Sequence, residues 1–140
     1  MTRPLDEYRE ASVVGEGQLK LIIMLYEGAL RYLNLARDNI ARNEIEQAHN
    51  NLIKAKRIIV HFLSTNNPDS GELAMNLHKL YVFLFEKISA ANLKKSQAEI
   101  DDASRIISKL LEGWRELERQ SGFSGASQPG KQPASLSMRA

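Results

Sequence analysis

One stretch constrains this chain more than any other: residues 18–40, where apolar side chains recur at helical spacing over more of the surface than one packing face requires. Leu19, Ile22, Ile23, Tyr26, Ala29, Leu30, Leu33, Ala36 and Ile40 follow three- and four-residue steps and form the core seam of an amphipathic helix. Leu21, Leu25, Tyr32 and Leu35, with Gly28 among them, keep the same spacing on a second face. Lys20, Glu27, Arg31, Asn34 and Asp38 form a narrow polar strip between the two faces. An ordinary surface helix shows an apolar stripe only somewhat wider than about 100°. Either this helix lies deep inside its own domain, or part of its surface is covered by another polypeptide.

Three further helices are expected. Asn43 with Glu46 reads as a cap opening the second, whose seam is Ile45, Ala48, Leu52, Ala55, Ile59 and Phe62, broadened by Ile53, Val60 and Leu63. The turn formers at 64–71 end it. The third helix starts between Pro68 and Glu72 and uses Leu73, Leu77, Leu80, Leu84 and Ile88, while Tyr81, Val82, Phe83, Leu84 and Phe85 are apolar at consecutive positions and leave a second surplus face. Ser96 with Glu99 reads as a capping box before the fourth helix, with Ile100, Ala103, Ile107, Leu110, Trp114 and Leu117 as its seam and Ile106 and Leu111 beside it. Four helices of similar length joined by short links imply an all-α, antiparallel up-and-down four-helix bundle. The expected organisation is an N-terminal arm at 1–17, the bundle at 18–120 and a disordered, Ser-, Gly- and Pro-rich tail at 121–140.

Composition narrows the function. At 140 residues the chain suffices for one domain with a real core, and without cysteine it has no disulfide and no thiolate site. Nineteen basic and seventeen acidic residues are interspersed and give +2, which does not mark a nucleic-acid binder. Lys20, Glu27 and Arg31 interrupt the most hydrophobic region, so no membrane insertion is expected, and without a signal-like start the chain is expected in the cytoplasm. No phosphate loop, nucleophile elbow or two-histidine zinc motif occurs; no catalytic residue, metal or cofactor is expected. Two alternatives stay open. His49 is a candidate phosphoacceptor in a histidine phosphotransfer bundle, although Lys54 comes too late for a His-x-x-Lys-Gly pattern. Lys54, Lys56, Arg57, Lys94 and Lys95 are candidates for phosphate contact, against the ordinary reading of a solvated helix face.

Several segments taken together carry a family resemblance. Met24-Leu25-Tyr26-Glu27-Gly28-Ala29, Tyr8 in the arm, Ile53-Lys54-Ala55 through Ile58-Ile59, Gly71 to Leu77 leading to Leu80-Tyr81, Ala91-Asn92 and Trp114 resemble the flagellin export chaperones of the FliS family, in register over roughly residues 5–118. Gly15-Glu16-Gly17 departs from the Ala-Ser-Pro-like entry usual in that family. The resemblance implies a cytoplasmic, non-enzymatic chaperone that keeps the disordered C-terminal segment of flagellin unpolymerised and passes it to a component of the flagellar type III export gate. It also implies an arm able to cover an apolar groove that flagellin uses, a role that falls on Leu5 and Tyr8. The residues themselves agree with this. Leu21, Leu25, Tyr32 and Leu35 are expected to line a docking surface, Gly28 to allow close approach of a helix, and Tyr81, Phe83 and Phe85 to extend the surface, unless these three pack inside the bundle. A second copy of the chain is the other candidate occupant of such a face, as a homodimer.

Overall fold

The computed structural model describes residues 16–127, with side chains over 17–121. The arm, with Leu5 and Tyr8, and residues 128–140 lie outside the described residues. Four α-helices follow one another: α1 (Glu16–Ala41), α2 (Ile45–Thr65), α3 (Glu72–Lys94) and α4 (Gln97–Ser127). A 3-10 turn at Pro68–Ser70 separates α2 from α3. The helix α1 packs on α2 and on α4, and α3 packs on the same two, so the bundle closes as a square.

Every neighbouring pair is antiparallel, as the cross-contacts show. Between α1 and α2, Asn51 donates to Asn39 near one end while Tyr26 meets Phe62 near the other. Between α2 and α3, His49 bonds Asn92 while Asn66 donates to the Ala74 carbonyl. Between α1 and α4, Arg37 pairs with Asp101 and Glu27 with Arg115. The up-and-down topology expected from short links is the one found.

The links end their helices in similar ways. After α1 the Glu44 N–H reaches the Asn39 carbonyl at 2.7 Å, and after α3 the Ser96 N–H reaches the Ala91 carbonyl at 3.1 Å. Each closure sets a residue in the left-handed region, Asn43 (φ 59°) and Lys95 (φ 51°). Asn43 therefore ends α1 and does not cap α2, which corrects the sequence expectation; Asn tolerates that backbone, and Glu44 precedes the helix with no side-chain cap bond. The Lys95 ammonium bonds the Asn92 carbonyl at 2.6 Å, anchoring its own turn. Ser96 does accept from the Glu99 N–H, but the Glu99 carboxylate turns to Lys87 and Lys94, so only half of the expected capping box forms.

The core follows the seams with local shifts. On α3 the fully buried residues are Ala74, Leu77, Tyr81, Leu84, Ile88 and Ala91, so Leu73 and Leu80 move to the margin. On α4 Leu111 is buried and Leu110 is marginal. On α2 Ile45 and Val60 face outward. An aromatic cluster fills the centre. The Phe62 ring stacks on Tyr81 at 5.4 Å, Tyr26 meets Phe62 at 4.9 Å and Trp114 at 6.2 Å, and the Tyr26 and Tyr81 hydroxyls lie 2.6 Å apart. Burial of a tilted aromatic set of this kind contributes beyond area alone, by roughly 0.5–1.5 kcal/mol per pair. At the end of α4, Ser121 continues the Trp114–Leu117 seam and is itself buried, and the helix runs past Gln120 to Ser127.

Candidate functional site

Three of the exposed large apolar side chains among the described residues lie together on the outer side of α1. Leu21 is 52% exposed, Met24 64% and Leu35 43%, while Leu25 and Tyr32 are half-buried along the same side. The steps from Leu21 to Met24 or Leu25, to Gly28, to Tyr32 and to Leu35 are three or four residues each, so the set forms one ridge about 21 Å long at 1.5 Å per residue. Met24 was not singled out from the sequence, although the step from Leu21 was enough to find it.

Two helices flank this ridge. Toward α2, Gly28 is buried, and a Cβ added there would meet Ile58 Cδ1 at 3.6 Å and Arg31 Nη2 at 3.7 Å. The helix that approaches Gly28 is thus the chain's own α2, which corrects its expected role toward an incoming helix. Those distances are ordinary contact, so the fold has room for alanine there. Tyr32, across the same junction, lies under two cations, Arg31 at 5.4 Å and Lys54 at 5.6 Å from its ring centre. Toward α4 a cleft of about 520 Å³ is floored by Leu30, Leu35 and Leu111. Glu27 and Arg115, on opposite walls, pair across it at 2.6 Å. Side chains of both charge signs surround the apolar lining of this cleft, an arrangement suited to binding.

The second expected face, on α3, does not exist as a face. Tyr81 is 2% exposed and belongs to the aromatic core, which removes it from any docking surface. Successive helical positions turn by about 100°, so five apolar residues in a row spread around the helix. Phe83 points outward at 42% exposure with the Lys87 ammonium 5.2 Å from its ring. Phe85 is half-buried on the side facing α2, under Lys56 at 4.9 Å, and Lys56 also donates to Ser89.

The titratable groups are structural. The Arg37 guanidinium donates to Asp101 at 2.8 Å and holds that carboxyl below its usual range, and Asp101 in turn raises the arginine. Hydrogen bonds from Lys87 and Lys94 lower Glu99, and Glu99 raises Lys87. His49 is exposed and its Nδ1 lies 2.9 Å from the Asn92 amide nitrogen, an ordinary inter-helix bond. Among the described residues no group of three or more His, Asp or Glu could hold a metal ion, and no helix is long and apolar enough to cross a membrane.

Comparison with known proteins matches the sequence to a described family. The family profile described as "Flagellar protein FliS" covers residues 1–121. The chain belongs to the FliS family. It is 34% identical over 103 residues to the flagellar secretion chaperone FliS of Campylobacter jejuni, spanning 73% of this chain and 80% of that protein. It is 26% identical over 113 residues to the flagellar secretion chaperone FliS of Bacillus subtilis, spanning 81% and 84%. The FliS of Salmonella typhimurium, also named a flagellar secretion chaperone, is 28% identical over 116 residues, spanning 81% and 86%. The relatives are named as chaperones and not as enzymes, so membership in the family favours the chaperone reading over phosphotransfer through His49.

Proposed function

We propose that this chain is a cytoplasmic chaperone that binds the C-terminal segment of flagellin on the outer side of α1, holds it unpolymerised and hands it to a component of the flagellar export gate. Family membership makes the chain a non-enzymatic flagellar export chaperone. The finer reading is supported by one observation, the ridge of Leu21, Met24, Leu25, Tyr32 and Leu35 that the bundle leaves uncovered. A segment destined for a helical filament exposes an amphipathic stripe before assembly, and such a stripe folds on docking as a helix against an apolar surface. Fully burying a Leu or Met side chain contributes about 1.5–3 kcal/mol. Three or four of them together offset an ordering cost of commonly about 2–5 kcal/mol.

Calorimetry of the full chain with a peptide from the end of the same cell's flagellin tests this. Binding at micromolar concentration is expected, weakened at least about tenfold by Leu21→Asp combined with Leu35→Asp while the thermal midpoint stays near wild type. Absence of heat far above micromolar concentration, or full affinity in the double variant, would reject the docking surface.

A further inference from the structure

Sulfur occurs in this chain only as thioether. There is no cysteine, and of the four methionines Met1 and Met138 lie outside the described residues. The other two differ in exposure and in place. Met24 is 64% exposed and stands on the outer side of α1, one turn from Leu21 and one turn from Gly28. Met75 is 37% exposed and lies in the first turn of α3, on the helix diagonally across the bundle. A thioether has no proton to lose, so access from solvent governs its oxidation. Met24 is therefore the more open of the two to a small oxidant, and it stands within the apolar ridge. A flexible, unbranched thioether suits a surface that adapts to a partner. Its sulfoxide does not, because the S–O dipole needs hydrogen-bond donors that Leu21, Leu25 and the apolar stripe of a docked helix do not supply.

We infer that Met24 is a modification site, oxidised to the sulfoxide by hydrogen peroxide, and that the sulfoxide weakens client docking on α1 without unfolding the bundle. The S–O bond forms as the peroxide O–O bond breaks. Sulfur gives up two electrons and peroxide is reduced; the proton on the transferred oxygen passes to the departing hydroxide, which leaves as water. The product is polar and chiral at sulfur, and methionine sulfoxide reductases reverse it. In the free chain the added oxygen faces water, so the fold loses little. Under a docked helix the same oxygen is buried without a donor, so the cost falls on the complex and not on the bundle. The converse also holds. A client seated over Met24 screens the sulfur, so peroxide marks the empty chaperone and spares the occupied one. The inference rests on the reading that a client helix docks on the outer side of α1, and it adds a reversible chemical control of that docking.

The test treats the full chain with hydrogen peroxide, maps the oxidised methionines by peptide mass spectrometry, and measures binding by calorimetry. Two probes are used, the flagellin C-terminal peptide and a synthetic helical peptide with one leucine stripe. Met24 is expected to take up oxygen faster than Met75, and saturating client peptide to slow Met24 alone. The oxidised chain should bind client about tenfold more weakly at an unchanged melting midpoint, and treatment with methionine sulfoxide reductase should restore the affinity. Met24→Leu, judged against its own untreated affinity, should lose none of it on the same treatment, whereas Met75→Leu should lose as much as wild type. Oxidation of Met75 ahead of Met24, full client affinity with Met24 oxidised, an equal loss in Met24→Leu, or a melting midpoint that falls with the affinity overturns the inference. If the flagellin peptide does not bind the untreated chain, the flagellin reading fails and the leucine-striped peptide decides. A loss on oxidation that Met24→Leu lacks then supports the inference, and binding that is absent or unchanged by peroxide overturns it.

Discussion

The outer side of α1 and the aromatic run of α3 are both rich in apolar residues beyond what a single seam needs, yet the bundle treats them in opposite ways. On α1 the surplus residues keep steps of three and four, so they stay on one side and stand together in solvent as Leu21, Met24, Leu25, Tyr32 and Leu35. On α3 the surplus is consecutive, and the helix distributes it: Tyr81 and Leu84 enter the core, Phe85 leans on α2 and Phe83 alone stands out. Spacing, and not apolar content, decides whether a helix has a second face. The core of α3 gains an aromatic stack from this arrangement, while α1 retains a surface that something else can bury.

The largest expected effect lies on the α3 side. Tyr81→Ala removes a ring stacked on Phe62 and the hydroxyl 2.6 Å from Tyr26, so it should cost about 3–5 kcal/mol in denaturant unfolding. A cost below about 1 kcal/mol would return Tyr81 to the surface and break the distinction between the two helices. Next in size is Met24→Asp, which should leave unfolding within about 0.5 kcal/mol of wild type and weaken the flagellin C-terminal peptide by about 1.5–3 kcal/mol in calorimetry. Full retention of affinity would confine docking to one flank of the ridge. Phe83→Ser comes third. An isolated exposed ring already covered in part by Lys87 should change stability and client affinity by no more than about 0.5 kcal/mol each. A loss equal to that of Met24→Asp would make α3 part of the docking surface after all.

How much of this could be read from the chain follows the same line of reasoning. The four helices, their antiparallel order and most buried positions are legible because a seam at helical spacing has one packing solution in a short-linked bundle. The face of Leu21, Leu25, Tyr32 and Leu35 is legible for the same reason, since its spacing is regular. Tyr81 is not, because within a continuous apolar run the inward residue depends on the rotation of α3. The shift from Leu73 and Leu80 to Ala74 and Tyr81 is a matter of a fraction of a turn. Gly28 fails differently: spacing puts it on the ridge, but only the position of Ile58 shows that α2 reaches it. The role of Asn43 depends on whether it ends one helix or starts the next, and the left-handed backbone that decides this leaves no mark in a residue type suited to both.

The smallest expected effect distinguishes how the two helices are tied to their common neighbour α4. The helix α1 is tied by Arg37 to Asp101 at 2.8 Å, and α3 by Lys87 to Glu99 at 3.0 Å with Lys94 on the same carboxylate at 3.1 Å. Both carboxyls are held below their usual range, Asp101 by the hydrogen bond from Arg37 and Glu99 by those from Lys87 and Lys94. A carboxyl depressed in the folded state contributes stability above its unfolded pKa and loses it as the pH falls through the folded value. The difference in melting midpoint between wild type and Asp101→Asn, or wild type and Glu99→Gln, should therefore be constant from neutral pH down to the ordinary carboxylate range and shrink to nothing in stronger acid. Glu99 is the more enclosed carboxylate and has two lysine partners, so its variant should show the larger difference. Thermal melts from neutral to strongly acidic pH at low salt decide the order, and raised salt should compress both differences. A larger effect at Asp101 would mean that α1, the helix with the exposed ridge, is bound to α4 more firmly than α3 is, and that its docking side is no looser than the core helix opposite.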